Sequence, residues 1–174
     1  MDIQTFLNFL LATAIVVMIP GPNIMLITAD SIQYGFKKSV FTITGVSAGM
    51  IPLFTLSLAG ISTLLFSFPG LFNSVKLIGV LYLLYLGSVM IAASQKTGSY
   101  VSNSLPVKKQ FFIKGFLISV TNPKGLFFAG AFFPQFLNKD IELLPQVLIL
   151  CSGCLFVSSL IGVLYAFFAK TASD

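Results

Sequence analysis

Apolar residues in this chain come in five long runs, at 3–27, 40–66, 71–93, 111–133 and 144–168, with short polar stretches between them. Each run reaches the roughly 20 residues that carry a helix across a hydrocarbon core of about 30 Å. The pattern predicts an all-α integral membrane protein of five transmembrane helices. The connecting stretches are too short for a separate aqueous domain, so residues 1–174 form a single membrane domain. The first run follows Asp2 with no basic n-region and passes Pro20 without a small-residue cleavage signal, so it reads as a mature span and not a removable signal peptide.

Two of the runs are interrupted. Pro20-Gly21-Pro22-Asn23 breaks the first, and Asn122-Pro123-Lys124-Gly125 breaks the fourth. Hydrocarbon supplies no water partner to a peptide group, so a broken helix persists there only where it is buried in protein or lines a wet cavity. Breaks at matching places in two halves mark the substrate site of many secondary transporters. The chain divides accordingly into a first repeat at 1–94, a linker at 95–110 and a second, incomplete repeat at 111–174. Three spans per repeat insert the two halves in opposite senses, and the fold expected is a 3+2 remnant of a 3+3 inverted repeat with helices 1 and 4 broken.

Composition agrees: 56% of the residues are hydrophobic, only 9% are charged, and the mean hydropathy is +0.98. All ten basic residues are lysines. Lys37 and Lys38 follow the first run, Lys96, Lys108 and Lys109 lie after the third, and Lys170 follows the fifth. Lysine segregated to alternate loops is the positive-inside signature, which puts the N-terminus outside and the C-terminus inside for five spans. The net charge of +5 is therefore largely topological. No basic stripe with interleaved aromatics exists on a soluble face, which argues against nucleic acid as a partner. The bilayer is the expected surroundings.

Depth can be counted from the same lysines. Pro22 lies about 15 residues before Lys37, and Lys124 about 15 after Lys109, each about 22 Å along a helix. The breaks fall at similar depth, and the half-helices starting there run in opposite senses with their N-terminal ends toward a common central region. Proline suits a first helical turn and Asn122 is a good N-cap ahead of Pro123. Each start offers unpaired N–H groups and a positive dipole end, a site for a carboxylate such as that of an amino acid. Pro20, Gly21, Pro22, Asn23, Asn122, Pro123 and Lys124 are the candidate substrate-binding residues.

A charge deep in a span costs about 2.5–3.5 kcal/mol and usually faces a cavity or counter-ion, which favours Lys124 as functional. The blander reading is that the break lets it snorkel or satisfy nearby carbonyls. Asp30 is the candidate for ion coupling. It sits about 10 Å from the inner boundary, however, so an interfacial carboxylate close to water, or one paired with Lys37 or Lys38, is at least as good a reading.

Cys151 and Cys154 form a C-x-x-C, but with no His and no further Cys a four-ligand zinc site is out of reach, and two small apolar side chains are the simpler reading. No metal or cofactor is expected. Gly45 and Gly49 form a GxxxG spacing, while Cys154, Ser158 and Gly162, and Gly125 with Ala129, form small-residue stripes for close packing. The glycine pair serves equally a contact within the protomer or a homodimer. The 19 phenylalanines read as packing and lipid-facing mass. The chain lacks the His and paired carboxylates of intramembrane acid–base or metal chemistry, so an enzyme is disfavoured.

Pro20-Gly21-Pro22-Asn23, the span ending Gly35-Phe36-Lys37-Lys38 and then Gly45 to Gly49 resemble the opening of the LysE/RhtB family of amino-acid exporters. Lys76-Leu77-Ile78-Gly79 through Tyr82-Leu83-Leu84-Tyr85-Leu86-Gly87 is similar to that family's third segment. Asn122-Pro123-Lys124-Gly125 through Phe132-Phe133-Pro134-Gln135-Phe136 is similar to its fourth. The resemblance implies a multi-pass protein of the bacterial cytoplasmic membrane that exports amino acids or close derivatives, driven by an ion gradient. It also implies six hydrophobic segments, so a chain with five is expected to lack the last. A truncated non-transporting or structural membrane subunit, and a small-solute channel, are the alternatives.

Overall fold

The computed structural model describes residues 1–56, 107–138 and 140–173. The regular elements among them are all helical: α1 (Ile3–Met18), α2 (Pro22–Tyr34), α3 (Phe36–Leu56), α4 (Lys108–Val120), α5 (Pro123–Phe127) and α6 (Leu143–Ser173). A π-helical turn over Phe128–Phe132 and a 3-10 turn over Phe133–Phe136 carry α5 onward. The all-α class is thus as expected. The predicted span at 71–93, the Lys76–Gly87 motif, Lys96, most of the linker and the end of the second predicted span lie outside the described residues.

Proline sets both breaks. A residue before proline is pushed out of the α region, and Ile19, Gly21 and Asn122 each precede one. All three are extended, with ψ of 113°, −175° and 110°. Pro22 and Pro123 then occupy first turns, where a missing N–H costs nothing. The chain axis turns by 60° between α1 and α2 and by 51° between α4 and the segment after Pro123. Among the described residues only α6 is long and apolar enough to cross a membrane alone, and each bent pair reaches that length when taken as one span. Gly35, at φ 87°, makes the one-residue turn from α2 into α3, a conformation that favours glycine.

The tightest contact lies between α3 and α4. A Cβ on Gly45 would overlap the carbonyl of Phe112, and one on Gly115 the carbonyl of Thr42. One on Gly49 would stand 2.6 Å from the Phe116 carbonyl oxygen. The GxxxG pair is therefore used within the protomer, where it lets two backbones touch. Phe9 packs on the other side against Phe128, Phe133 and Phe136, with ring centres 6.1, 5.8 and 5.2 Å apart. A second apolar cluster joins Ile24 and Ile27 of α2, Ile43 and Val46 of α3, and Ile161 of α6. Hydroxyls tie α6 to its neighbours: Ser31 donates to the Ala166 carbonyl at 2.6 Å, and Ser47 and Ser159 lie 2.9 Å apart.

Gly45→Val inserts an isopropyl group where backbone already stands, and overpacking of that kind costs about 1–3 kcal/mol. A thermal unfolding scan of purified protein in detergent should show a clear loss of stability for Gly45→Val and little change for Gly35-distant surface substitutions such as Leu148→Val.

Candidate functional site

The two breaks meet. A cavity of about 70 Å³ is lined by Gly21 and Asn23 from the first, Asn122 and Lys124 from the second, and Cys154 and Ser158 from α6. Its remaining wall is mostly aliphatic, with Ile27, Val46 and Met50 among the contributors. A Cβ on Gly21 would stand 3.4 Å from Cδ of Lys124, which measures how close the two interruptions lie.

Each interruption strands polar backbone groups, and side chains answer several of them, from elsewhere at the first break and locally at the second. A helix end leaves its last carbonyls without intrahelical partners. At the end of α1, Lys124 Nζ donates to the Ile19 carbonyl at 2.6 Å, and the Tyr165 hydroxyl donates to the Met18 carbonyl at 2.8 Å. Lys124 thus satisfies a nearby carbonyl, the blander of its two expected roles, while also lining the cavity. Asn122 caps α5 as expected, its Oδ1 accepting from the Lys124 backbone N–H at 3.0 Å. That bond occupies an amide expected to be open to a ligand. The start of α2 has no side-chain cap, and Pro22 contributes no N–H. Of the two helix starts, α2's is therefore the open one. Asn23 Oδ1 is buried beside it without a hydrogen-bond partner.

Of the seven residues singled out from sequence, four line the cavity. Pro20, Pro22 and Pro123 shape the backbone around it and are not among its lining residues. Asp30 lies elsewhere. It is not paired with Lys37 or Lys38, and it is not open to water: its side chain is 2% exposed and points toward α3 and α4. There Oδ2 accepts from Thr42 Oγ1 at 2.6 Å and Oδ1 from Lys114 Nζ at 3.0 Å. Lys37 and Lys38 belong to α3 beyond the Gly35 turn, and Lys38 instead stands 5.7 Å over the Tyr34 ring.

Sequence reasoning missed Lys114, Thr42 and Tyr165, and it assigned Cys154 and Ser158 to packing alone. Lys114 did carry a signal, being a second lysine within the predicted fourth span. The others are common residue types whose roles depend on which helix faces them.

The LysE type translocator family model matches residues 14–174 of this chain. The chain belongs to that family. The match begins inside α1 and takes in both breaks. This is a family of membrane transporters, not of enzymes. Its similar relatives include the leucine efflux protein of Klebsiella pneumoniae, 33% identical over 142 residues, or 80% of this chain. Those of an Enterobacter species and of Salmonella choleraesuis are 32% and 31% identical, each over 78% of the chain. The chain spans 66% of the length of the Klebsiella protein and 65% of the other two. No solved structure matches it.

Tyr165→Phe removes the donor to the Met18 carbonyl without changing side-chain volume much, and a lost hydrogen bond of this kind costs about 0.5–1.5 kcal/mol. Lys124→Met should cost a similar amount through Ile19. Both losses are readable as lowered unfolding temperatures in detergent, and a Tyr165→Phe protein as stable as its parent would remove that bond from the account.

Proposed function

We propose that the chain exports amino acids, binding them in the cavity between the two breaks. The supporting observation is that Asn23, Asn122 and Lys124, polar residues from two interruptions about a hundred positions apart in sequence, face one cavity with a mostly aliphatic wall. The substrate carboxylate sits at the uncapped start of α2, where first-turn N–H groups and the helix dipole favour an anion. Lys124 transfers its donation from the Ile19 carbonyl to that carboxylate. The unpartnered Asn23 Oδ1 accepts from the substrate ammonium, and Asn122 holds Lys124 in register from below.

The aliphatic wall formed by Ile27, Val46 and Met50 receives the side chain, which favours a branched apolar amino acid. Three relatives named for leucine efflux fit that class. A cavity of about 70 Å³ has room for a few water molecules and is well short of the roughly 300–1,000 Å³ of small-molecule sites. The arrangement is thus a closed state, and loading requires helices to part, as alternating access demands. The chain carries no Walker-type glycine loop, so an ion gradient, and the proton motive force first of all, supplies the work. The lysine distribution orients it in the bacterial cytoplasmic membrane with the N-terminus outside and the C-terminus inside.

The test is efflux from cells loaded with leucine or another branched amino acid, following extracellular accumulation. The parent chain should show saturable efflux that a protonophore abolishes. Lys124→Ala loses a charge-assisted hydrogen bond and should slow initial efflux by about tenfold or more. Asn122→Ala should slow it less. Unchanged kinetics in both variants would remove these residues from the site, and flux that never saturates would point to a channel.

A further inference from the structure

Three helices converge one turn beyond the cavity, and the polar groups there are not part of it. On α2, Asn23, Ile27 and Asp30 lie at i, i+4 and i+7, a single stripe down one face. On α3, Thr42, Val46 and Met50 follow each other at intervals of four. The cavity takes Asn23 and Ile27 from the first stripe and Val46 and Met50 from the second. Asp30 and Thr42 are the next residues along each stripe, and they bond to one another at 2.6 Å. Lys114 lies eight residues before Asn122 on the fourth helix and closes the third side with its 3.0 Å bond to Asp30. Passing outward from the cavity, Ile27 and Val46 form its floor, and the buried Asp30 carboxylate lies beneath them. Lys114 comes last, its side chain 57% exposed.

The surrounding backbone says which part can move. The α3–α4 pair is locked by Gly45, Gly49 and Gly115, where no Cβ fits. By contrast, α2 is a 13-residue rod bounded by the extended Ile19–Gly21 break at one end and the positive-φ Gly35 at the other. Ser31 ties its neighbouring face to α6.

We propose that Asp30, Thr42 and Lys114 form the catch of a gate on the Lys114 side of the cavity, holding α2 against the α3–α4 pair until it swings to admit or release substrate. A buried carboxylate is stable only while paired, so the closed position is well defined. Lys114 reaches water or lipid phosphate without moving far, so its bond is the one that can be exchanged. Once α2 tilts about its two pivots, water entering behind Ile27 solvates the Asp30 carboxylate. The gate serves the export reading above, but its closure is observable without any flux.

Native Cys154 lines the cavity and reports its accessibility. In a Cys151→Ser background, the full chain in proteoliposomes is exposed to a membrane-impermeant maleimide from one side at a time. Lys114→Ala should raise the alkylation rate of Cys154 by about tenfold, as expected when one bond holding the closed population is lost, and only from the side carrying Lys37 and Lys114. Lys114→Arg should keep the parent rate. The double variant Asp30→Asn with Lys114→Gln preserves a hydrogen bond while removing the charges. It should also label faster, and it serves if Lys114→Ala does not fold. Parent-like labelling in the folded variants overturns the gate. So does equal acceleration by Lys114→Arg, which would assign the effect to packing. Lost efflux with the labelling pattern intact would count against the exporter reading and leave the gate standing.

Discussion

A peptide group inside a bilayer has no water to turn to, and two helix pairs of this chain, each long and apolar enough to be a span, are broken by proline. Everything distinctive in the described structure follows from meeting that constraint. Prolines 20, 22 and 123 force their predecessors into extended conformation, which strands carbonyls at the end of α1 and amides at the starts of α2 and α5. The amide at the start of α5 is answered locally by Asn122, but the carbonyls at the end of α1 are answered across the molecule. Lys124 reaches a carbonyl 105 positions away, and Tyr165 reaches one 147 away. The two broken spans are thereby bound to each other at the place where each is weakest. What is left unanswered, the uncapped start of α2 and Asn23 Oδ1, faces the cavity.

The rest of the fold divides between closely packed parts and the short helix α2, which we propose is the moving one. Glycines at 45, 49 and 115 bring α3 and α4 into backbone contact, an arrangement with no slack because any side chain there would meet a carbonyl. The phenylalanine cluster around Phe9 gives the other side a dense aromatic wall. Between them α2 is short, bounded by a break at each end, and held by the apolar contacts of Ile24 and Ile27 together with the side-chain bonds of Asp30 and Ser31. The export proposed here calls for this division, since a site must be held in a fixed shape in each state and yet pass between states.

How much of this could be read from the chain itself depends on the range of the cause. Proline acts on its immediate neighbour, so the positions of both breaks, the bends and the Asn122 cap were legible from a few residues each. Hydropathy is summed over a span, so the all-helical membrane class was legible too. The GxxxG spacing announced a close contact but could not say with which helix, because Phe112 and Phe116 come from the other half of the chain. Asp30 shows the same limit more sharply. Its nearest lysines in sequence are Lys37 and Lys38, yet the Gly35 turn carries them off, and the partner is Lys114, 84 positions away. Cys154 and Ser158 looked like packing residues because small side chains serve packing and cavity walls alike, and only the facing helices decide between them.

The central claim is that the two interruptions lie against each other inside the membrane, and proximity can be measured directly. With Cys151 and Cys154 replaced by Ser, Gly21→Cys and Lys124→Cys are introduced together and treated in native membranes with a short bifunctional thiol reagent. The account predicts rapid intramolecular cross-linking of that pair and none for a control pair of Leu11→Cys with Lys124→Cys. Two thiols that each react singly with the reagent but never join would show that the breaks are apart, and the cavity between them would go with them.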